Sequence, residues 1–169
     1  MTKVFEYKAG SLVDKVGKQV GQAFDIINKR SEIGQAIETK GEDTSYINFP
    51  TFDRTDLRSW SCWIKFNEIN LTTAVAFILA GSKMSFGTSV SGGFMLSSGG
   101  GNAQRKSNYS FKPHIWYQLV CNYDDTGEPS LYINTIESTY SGVGYFGHND
   151  PSLYIGKRNT GNAESVQIA

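Results

Sequence analysis

The chain predicts an all-β protein, two antiparallel sheets facing each other as a jelly-roll sandwich. Three observations carry this. Two long segments alternate apolar and polar residues with period two, the mark of a half-buried strand. Aromatic residues make up 13%, glycine occurs 18 times and charged residues are only 19%, the profile of many short strands joined by tight turns. No stretch shows the 3.6-residue apolar period of a long amphipathic helix.

Taken in order, residues 4–8 (VFEYK) read as a short opening strand, followed by a polar loop through Asp14, Gly17 and Gly21. Ala23 to Ile27 reads as a second short strand. Glu32 to Thr39 reads as a strand or a helical turn, Gly34 weighing against the helix. Tyr46 to Phe49 is a strand stopped by Pro50.

Arg58 to Ile69 is the best strand. Trp60, Cys62, Ile64 and Phe66 share one face; Ser59, Ser61, Lys65 and Asn67 take the other, where Trp63 interrupts the polar series. Ala74 to Ala80 is nearly all apolar, a strand covered on both faces. Gly93 to Ser97 is a short strand, and Ser98 to Asn102 a turn. Asn108 to Phe111 leads to Pro113. Ile115 to Tyr123 alternates again, with Ile115, Tyr117, Leu119, Cys121 and Tyr123 on one face. Asp124 to Gly127 is a tight turn, and Ser130 to Thr135 returns as the hairpin partner. Leu153 to Gly156 and Glu164 to Ala169 supply further strands. Roughly ten short strands suit a single sandwich domain over 1–169, and the break in mid-strand at Ala169 leads to the expectation that the domain lacks its last strand or continues beyond 169.

Lys plus Arg and Asp plus Glu both number 16, so the formal net charge is zero. A nucleic-acid partner is not expected, because neutralising phosphates needs a basic footprint. Membrane insertion is not expected either: no run approaches the ~18 apolar residues of a membrane span. The opening residues show no signal-peptide core. Zero net charge gives little colloidal repulsion and fits a subunit of a larger assembly. Cys62 and Cys121 read first as buried reduced thiols, with a disulfide between paired strands as the alternative.

Trp116 to Thr135, WYQLVCNYDDTGEPSLYINT, resembles a hairpin of laminin-G-like domains in the concanavalin A-like lectin/glucanase superfamily. In that family a Trp opens a strand, a Tyr-Asp turn follows and the return strand ends in Tyr-x-Asn. Trp116, Tyr123, Asp124, Tyr132 and Asn134 match; Thr135 stands where the family usually has Gly. SWSCWIKF around Trp63 and PSLYIGKR from Pro151 resemble two further strands of the family. The resemblance covers essentially the whole chain in the right order. It implies that Trp63 and Trp116 are buried between the sheets. It also admits calcium in rim loops, with oxygen ligands available at Asp14, Asp43, Asp124, Asp125, Asn149 and Asp150, of which Asp43 and Asp150 are the metal candidates.

Glycosidases on this architecture place two carboxylates on one face of a strand. Asp124–Asp125 and Glu42–Asp43 are adjacent, so on a strand they face opposite ways; Glu128 and Glu137 are isolated. His114 and His148 lie at no metal-ligand spacing. No nucleophile elbow and no Walker or Rossmann glycine pattern occurs.

The segment Tyr140 to Asp150, YSGVGYFGHND, offers an aromatic platform with polar groups, the pairing that sugar sites use. Tyr145, Phe146, His148 and Asn149 are its ligand-binding candidates, with Arg105 joining from a preceding polar loop. The functional expectation is a non-catalytic, lectin-like binding or decoration module that binds carbohydrate or other surface proteins. Its setting would be a virion surface (phage head decoration, fibre or tail adhesin) or otherwise extracellular, after cytoplasmic synthesis without a classical signal. The alternatives are a glycoside hydrolase or lyase on the same sandwich, and an intracellular scaffold domain.

Overall fold

The architecture comes from a computed structural model, which describes residues 21–39, 44–49, 59–69, 75–80, 84–88, 94–98, 103–107, 109–123, 129–138, 140–141, 153–156 and 166–169. The described residues form strands and turns, and no helix occurs among them. The strands are β1 (Gln22–Phe24), β2 (Ile27–Ser31), β3 (Gly34–Glu38), β4 (Tyr46–Phe49), β5 (Ser59–Phe66), β6 (Val75–Ala80), β7 (Met84–Thr88) and β8 (Phe94–Ser98). They continue with β9 (Ala103–Ser107), β10 (Trp116–Tyr123), β11 (Pro129–Ile133), β12 (Ile136–Glu137), β13 (Tyr140–Ser141), β14 (Leu153–Ile155) and β15 (Val166–Ile168).

They build two sheets. One runs β1-β4-β14-β6-β7-β8-β9-β13, the other β12-β11-β10-β5-β15-β3-β2, and every described pairing is antiparallel. The core draws on both: Ile47 and Phe49 of the eight-stranded sheet, and Ile37, Ile64, Phe66, Leu119 and Leu131 of the seven-stranded one, are fully buried. The alternation predicted for the two long strands is what places them there. Ile64 and Phe66 point inward from β5; Tyr117, Leu119 and Cys121 point inward from β10. The large side chains exclude water from a continuous apolar layer, the dominant stabilising term of such a sandwich.

The single strand expected over 23–27 is two, because Asp25 takes a positive φ of 44° and bends the chain between β1 and β2. Residues 32–39 resolve to strand, not helix: β2 and β3 form a hairpin closed at Ser31 and Gly34, and Gly34 adopts φ 126°. Strands β7, β9, β12 and β13 are not expected from the sequence, being too short or too polar for a sustained apolar alternation. The expected strand at 4–8 lies outside the described residues.

The hairpin partner of β10 ends earlier than expected. β11 stops at Ile133, and Asn134 and Thr135, both with positive φ (50° and 69°), turn the chain into β12. Two positive-φ residues make a two-residue turn whose twist matches the strands it joins. Asn134 then does a strand residue's work: its N–H donates to Gln118 O and its Oδ1 accepts from Gln118 N, each at 2.9 Å.

At the same end of β10, an aromatic cluster seals the core. Phe111 lies 5.1 Å from Phe66 and 4.9 Å from Tyr117 between ring centres, with Tyr109 5.8 Å from Tyr117. The Tyr117 hydroxyl accepts the Lys112 N–H at 2.9 Å, and the His114 N–H donates to Phe66 O at 2.7 Å. His114, exposed at φ 63°, turns the chain into β10.

Cys62 and Cys121 are both reduced, with no disulfide between them, and lie on the inner face. Cys62 is registered with Leu119, and Cys121 with Trp60, so the two are diagonal neighbours. Diagonal positions in an antiparallel pair stand ~7–8 Å apart, beyond what a disulfide spans without backbone movement.

Candidate functional site

The outer face of the seven-stranded sheet holds the arrangement with most chemistry. Strand register fixes it. Trp116 of β10 is opposite Lys65 of β5, which is opposite Gln167 of β15 and, beyond that, Glu38 of β3. One step along, Gln118 is opposite Trp63, whose backbone exchanges two hydrogen bonds with Ala169, at 3.1 and 3.0 Å. Tyr132, Val120 and Ser61 form the next row, with Glu137 at its edge.

Trp63 is 39% exposed, an open indole in the middle of a sheet face. Lys65 sits beside it, its ammonium 5.0 Å from the centre of the Trp116 ring, a cation–π contact. The same ammonium donates to Glu32 Oε1 and Oε2 at 3.2 and 3.5 Å. Glu32 comes from the turn of the β2–β3 hairpin, which reaches back over the face. Its carboxyl is held below the ordinary range, first by a hydrogen bond with its own backbone and then by Lys65. The Trp116 indole N–H lends a smaller lowering without closing to a hydrogen bond; Trp116 Nε1 is buried with no hydrogen-bond partner among the described residues. Lys29 of β2 makes a second ion pair, with Glu38. At that edge of the sheet, Asn28, Lys29, Arg30, Gly34, Gln35 and Ala36 line an open cleft of about 530 Å³.

Chemically, the face joins an exposed aromatic ring to a lysine, a carboxylate and an amide residue. Donors and acceptors thus surround an apolar plate, and that is the chemistry by which a pyranose or furanose ring is held. The opposite outer face is different. There Phe24 stacks on Tyr46 at 4.7 Å, and Tyr46 meets Tyr154 at 5.9 Å. These rings pack on one another, although Phe24 stays 40% exposed, and Asn48, registered with Tyr154, keeps its Oδ1 buried without a hydrogen-bond partner among the described residues.

The structure corrects two expectations here. Trp63 and Trp116 are not between the sheets; both lie on the outer face, Trp63 exposed and Trp116 half-buried beneath Lys65. The parity of each strand already said so, since both are out of phase with the core residues beside them. Arg105 lies in strand β9, registered with Leu96, and not in a loop. The start of the Tyr140–Asp150 segment is likewise strand: Tyr140 and Ser141 pair with Ser107 and Lys106, next to Arg105. Tyr145, Phe146, His148 and Asn149, and the calcium candidates Asp43 and Asp150, lie outside the described residues. Among the described residues no three His, Cys, Asp or Glu side chains gather as a metal's ligands would. Nor is any described helix long and apolar enough to cross a membrane.

Two stacked antiparallel sheets with a polar-aromatic outer face define a lectin-type β-sandwich. A laminin-G-type family model, described as the concanavalin A-like lectin/glucanases superfamily, matches residues 40–167, and the chain belongs to that superfamily. No curated protein sequence matches it. Among solved structures it is similar to domain 4 of an extracellular arabinanase from Geobacillus stearothermophilus, solved with arabinotriose (TM-score 0.65, 17% identity, 94% of this chain and 86% of that one). It is also similar to the binding domain of a paraclostridial mosquitocidal protein (0.72, 12%, 98% and 47%). A third similar structure is a Trypanosoma rangeli sialidase in complex with 2,3-difluorosialic acid (0.68, 15%, 98% and 29%). The chain therefore spans most of the first but under half of the other two, and at these identities the likeness is one of fold.

Proposed function

We propose that this domain is a non-catalytic, lectin-like module that binds carbohydrate on the outer face of its seven-stranded sheet. The observation that carries this is Trp63: a large aromatic left open at the centre of a sheet face, with Gln118 opposite it, Lys65 two residues along its strand and Glu32 held by that lysine. Exposing an indole forgoes its burial energy, and a ligand's apolar ring face recovers it. The fold is shared with an arabinanase domain solved with arabinotriose and with a toxin's binding domain, which supports a role in attachment. A virion surface, as a head-decoration, fibre or tail-adhesin subunit, is the setting the sequence favours. Detection of the chain in purified particles would support that setting.

The test is a glycan array probed with the purified domain, with calcium and with chelator, beside a Trp63→Ala variant. Saccharide binding by the parent that disappears in the variant supports the reading. Silence of a folded parent in both conditions overturns it and favours a structural decoration role.

A further inference from the structure

Glycan ligands fall into neutral and acidic classes, and the described charges on the proposed binding face discriminate between them. The face carries Lys29 and Lys65 against Glu32, Glu38 and Glu137. Both cations are already engaged, Lys65 by Glu32 and Lys29 by Glu38, while Arg30, registered with Gln35, has the opposite parity to Lys29 and belongs to the other side of the hairpin. Capture of a sugar carboxylate is strongest at a cation whose charge is not already matched. The Lys65 side chain is only 15% exposed, covered on one side by its contact with Trp116 and on another by Glu32. An acidic sugar at Trp63 would displace Glu32 from Lys65 and then lie beside an unpaired carboxylate.

A hydroxyl meets no such conflict. It accepts from an ammonium and donates to a carboxylate, so neighbouring hydroxyls of a sugar ring engage a lysine–carboxylate pair without breaking it. Glu32 is suited to this, its side chain being 62% exposed at the rim of the face.

We infer that the saccharide taken by this face is uncharged, and that Glu32 is the residue that sets the preference. This rests on the binding face proposed above and deepens it.

The experiment uses matched pairs of immobilised oligosaccharides, each neutral chain beside the same chain ending in a sialic or uronic acid. Affinities are measured for the parent, Glu32→Gln and Trp63→Ala. The parent should bind neutral members about ten-fold or more tightly than their acidic counterparts, since like charges across an interface are strongly disfavoured. Glu32→Gln releases Lys65 from its carboxylate and should narrow or reverse that ratio. Because Glu32 sits exposed in a turn, the variant should fold as the parent does, checked by circular dichroism. Equal or tighter binding of acidic members by the parent, or an unchanged ratio in Glu32→Gln, overturns the inference and leaves the binding face standing. No binding by the folded parent, or binding that survives Trp63→Ala, overturns the binding face and this inference together.

Discussion

Thr39 and Gly156 hold the two sheets at one corner of the sandwich. Thr39 follows β3 and Gly156 follows β14, and the Thr39 Cγ2 methyl occupies the space where a Cβ on Gly156 would sit. Ser45 O lies 3.4 Å from the same point, and Gly156 has φ 92°. Gly156→Ala should therefore cost roughly 2–4 kcal/mol, from overpacking together with an unfavourable backbone conformation. Urea unfolding would show it as a lower midpoint at unchanged slope. A midpoint equal to the parent's would mean the corner is not closed as described.

Thr135 presents the opposite case. It is β-branched, yet φ is 69° in the turn from β11 to β12, where its hydroxyl donates to Asn134 O at 2.6 Å. Thr135→Gly should raise stability by about 1 kcal/mol through relief of a left-handed conformation, less the entropy glycine adds to the unfolded chain. Thermal unfolding would read this as a rise of a few degrees. A fall would show that the hydroxyl contact outweighs the backbone.

Trp63→Ala separates binding from folding. The indole is partly open, so its removal should cost no more than about 2 kcal/mol of stability. As the central aromatic of the face, it should cost saccharide affinity about 30-fold or more. A variant that binds undiminished would show the ring to be a surface ornament of the sheet.

Glu32 should titrate below its ordinary value of 4.5 in a carbon-detected NMR titration. Because the folded value is depressed, the associated stability is present above the unfolded value and lost as pH falls through the folded one. Lys65→Met should return the titration only part of the way. The backbone hydrogen bond is the larger cause and is untouched by that substitution. Full return to the ordinary value would assign the whole effect to Lys65.

Burial pushes the Cys62 thiol up from 9.0 to about 12. The folded protein should leave Cys62 unmodified by iodoacetamide at pH 8, while denaturant exposes it to reaction, as followed by mass spectrometry. With a raised folded value, the thiol's contribution holds below pH 9.0 and is lost as pH rises toward about 12. Fast labelling in native buffer would place Cys62 outside the core.

The long strands were legible because their alternation is strict: Ile64 and Phe66, and Tyr117, Leu119 and Cys121, are inward where parity put them. β7 and β9 were not, since MSFGT alternates over only Met84 to Gly87 and AQRKS has no apolar series, and both are held as strands by neighbours on both sides. The binding face was half legible. Trp63 stood out as an aromatic on a polar parity, but the resemblance drew it into the core. Glu32 and Lys65 are 33 positions apart, and only the hairpin's return over the sheet brings them together. No periodicity reports a contact of that kind.

β15 lies between β5 and β3 in the middle of the seven-stranded sheet, although it comes after every other described strand in the chain. Its hold is short, three registered pairs on one side and two on the other, and the Glu32–Lys65 pair spans it from hairpin to β5. Without β15 the described strands of this sheet would fall into two groups, β12-β11-β10-β5 and β3-β2. Trp63 belongs to one group and Glu32 to the other. The surface that would meet a sugar is therefore a composite, whole only while β15 joins its two halves.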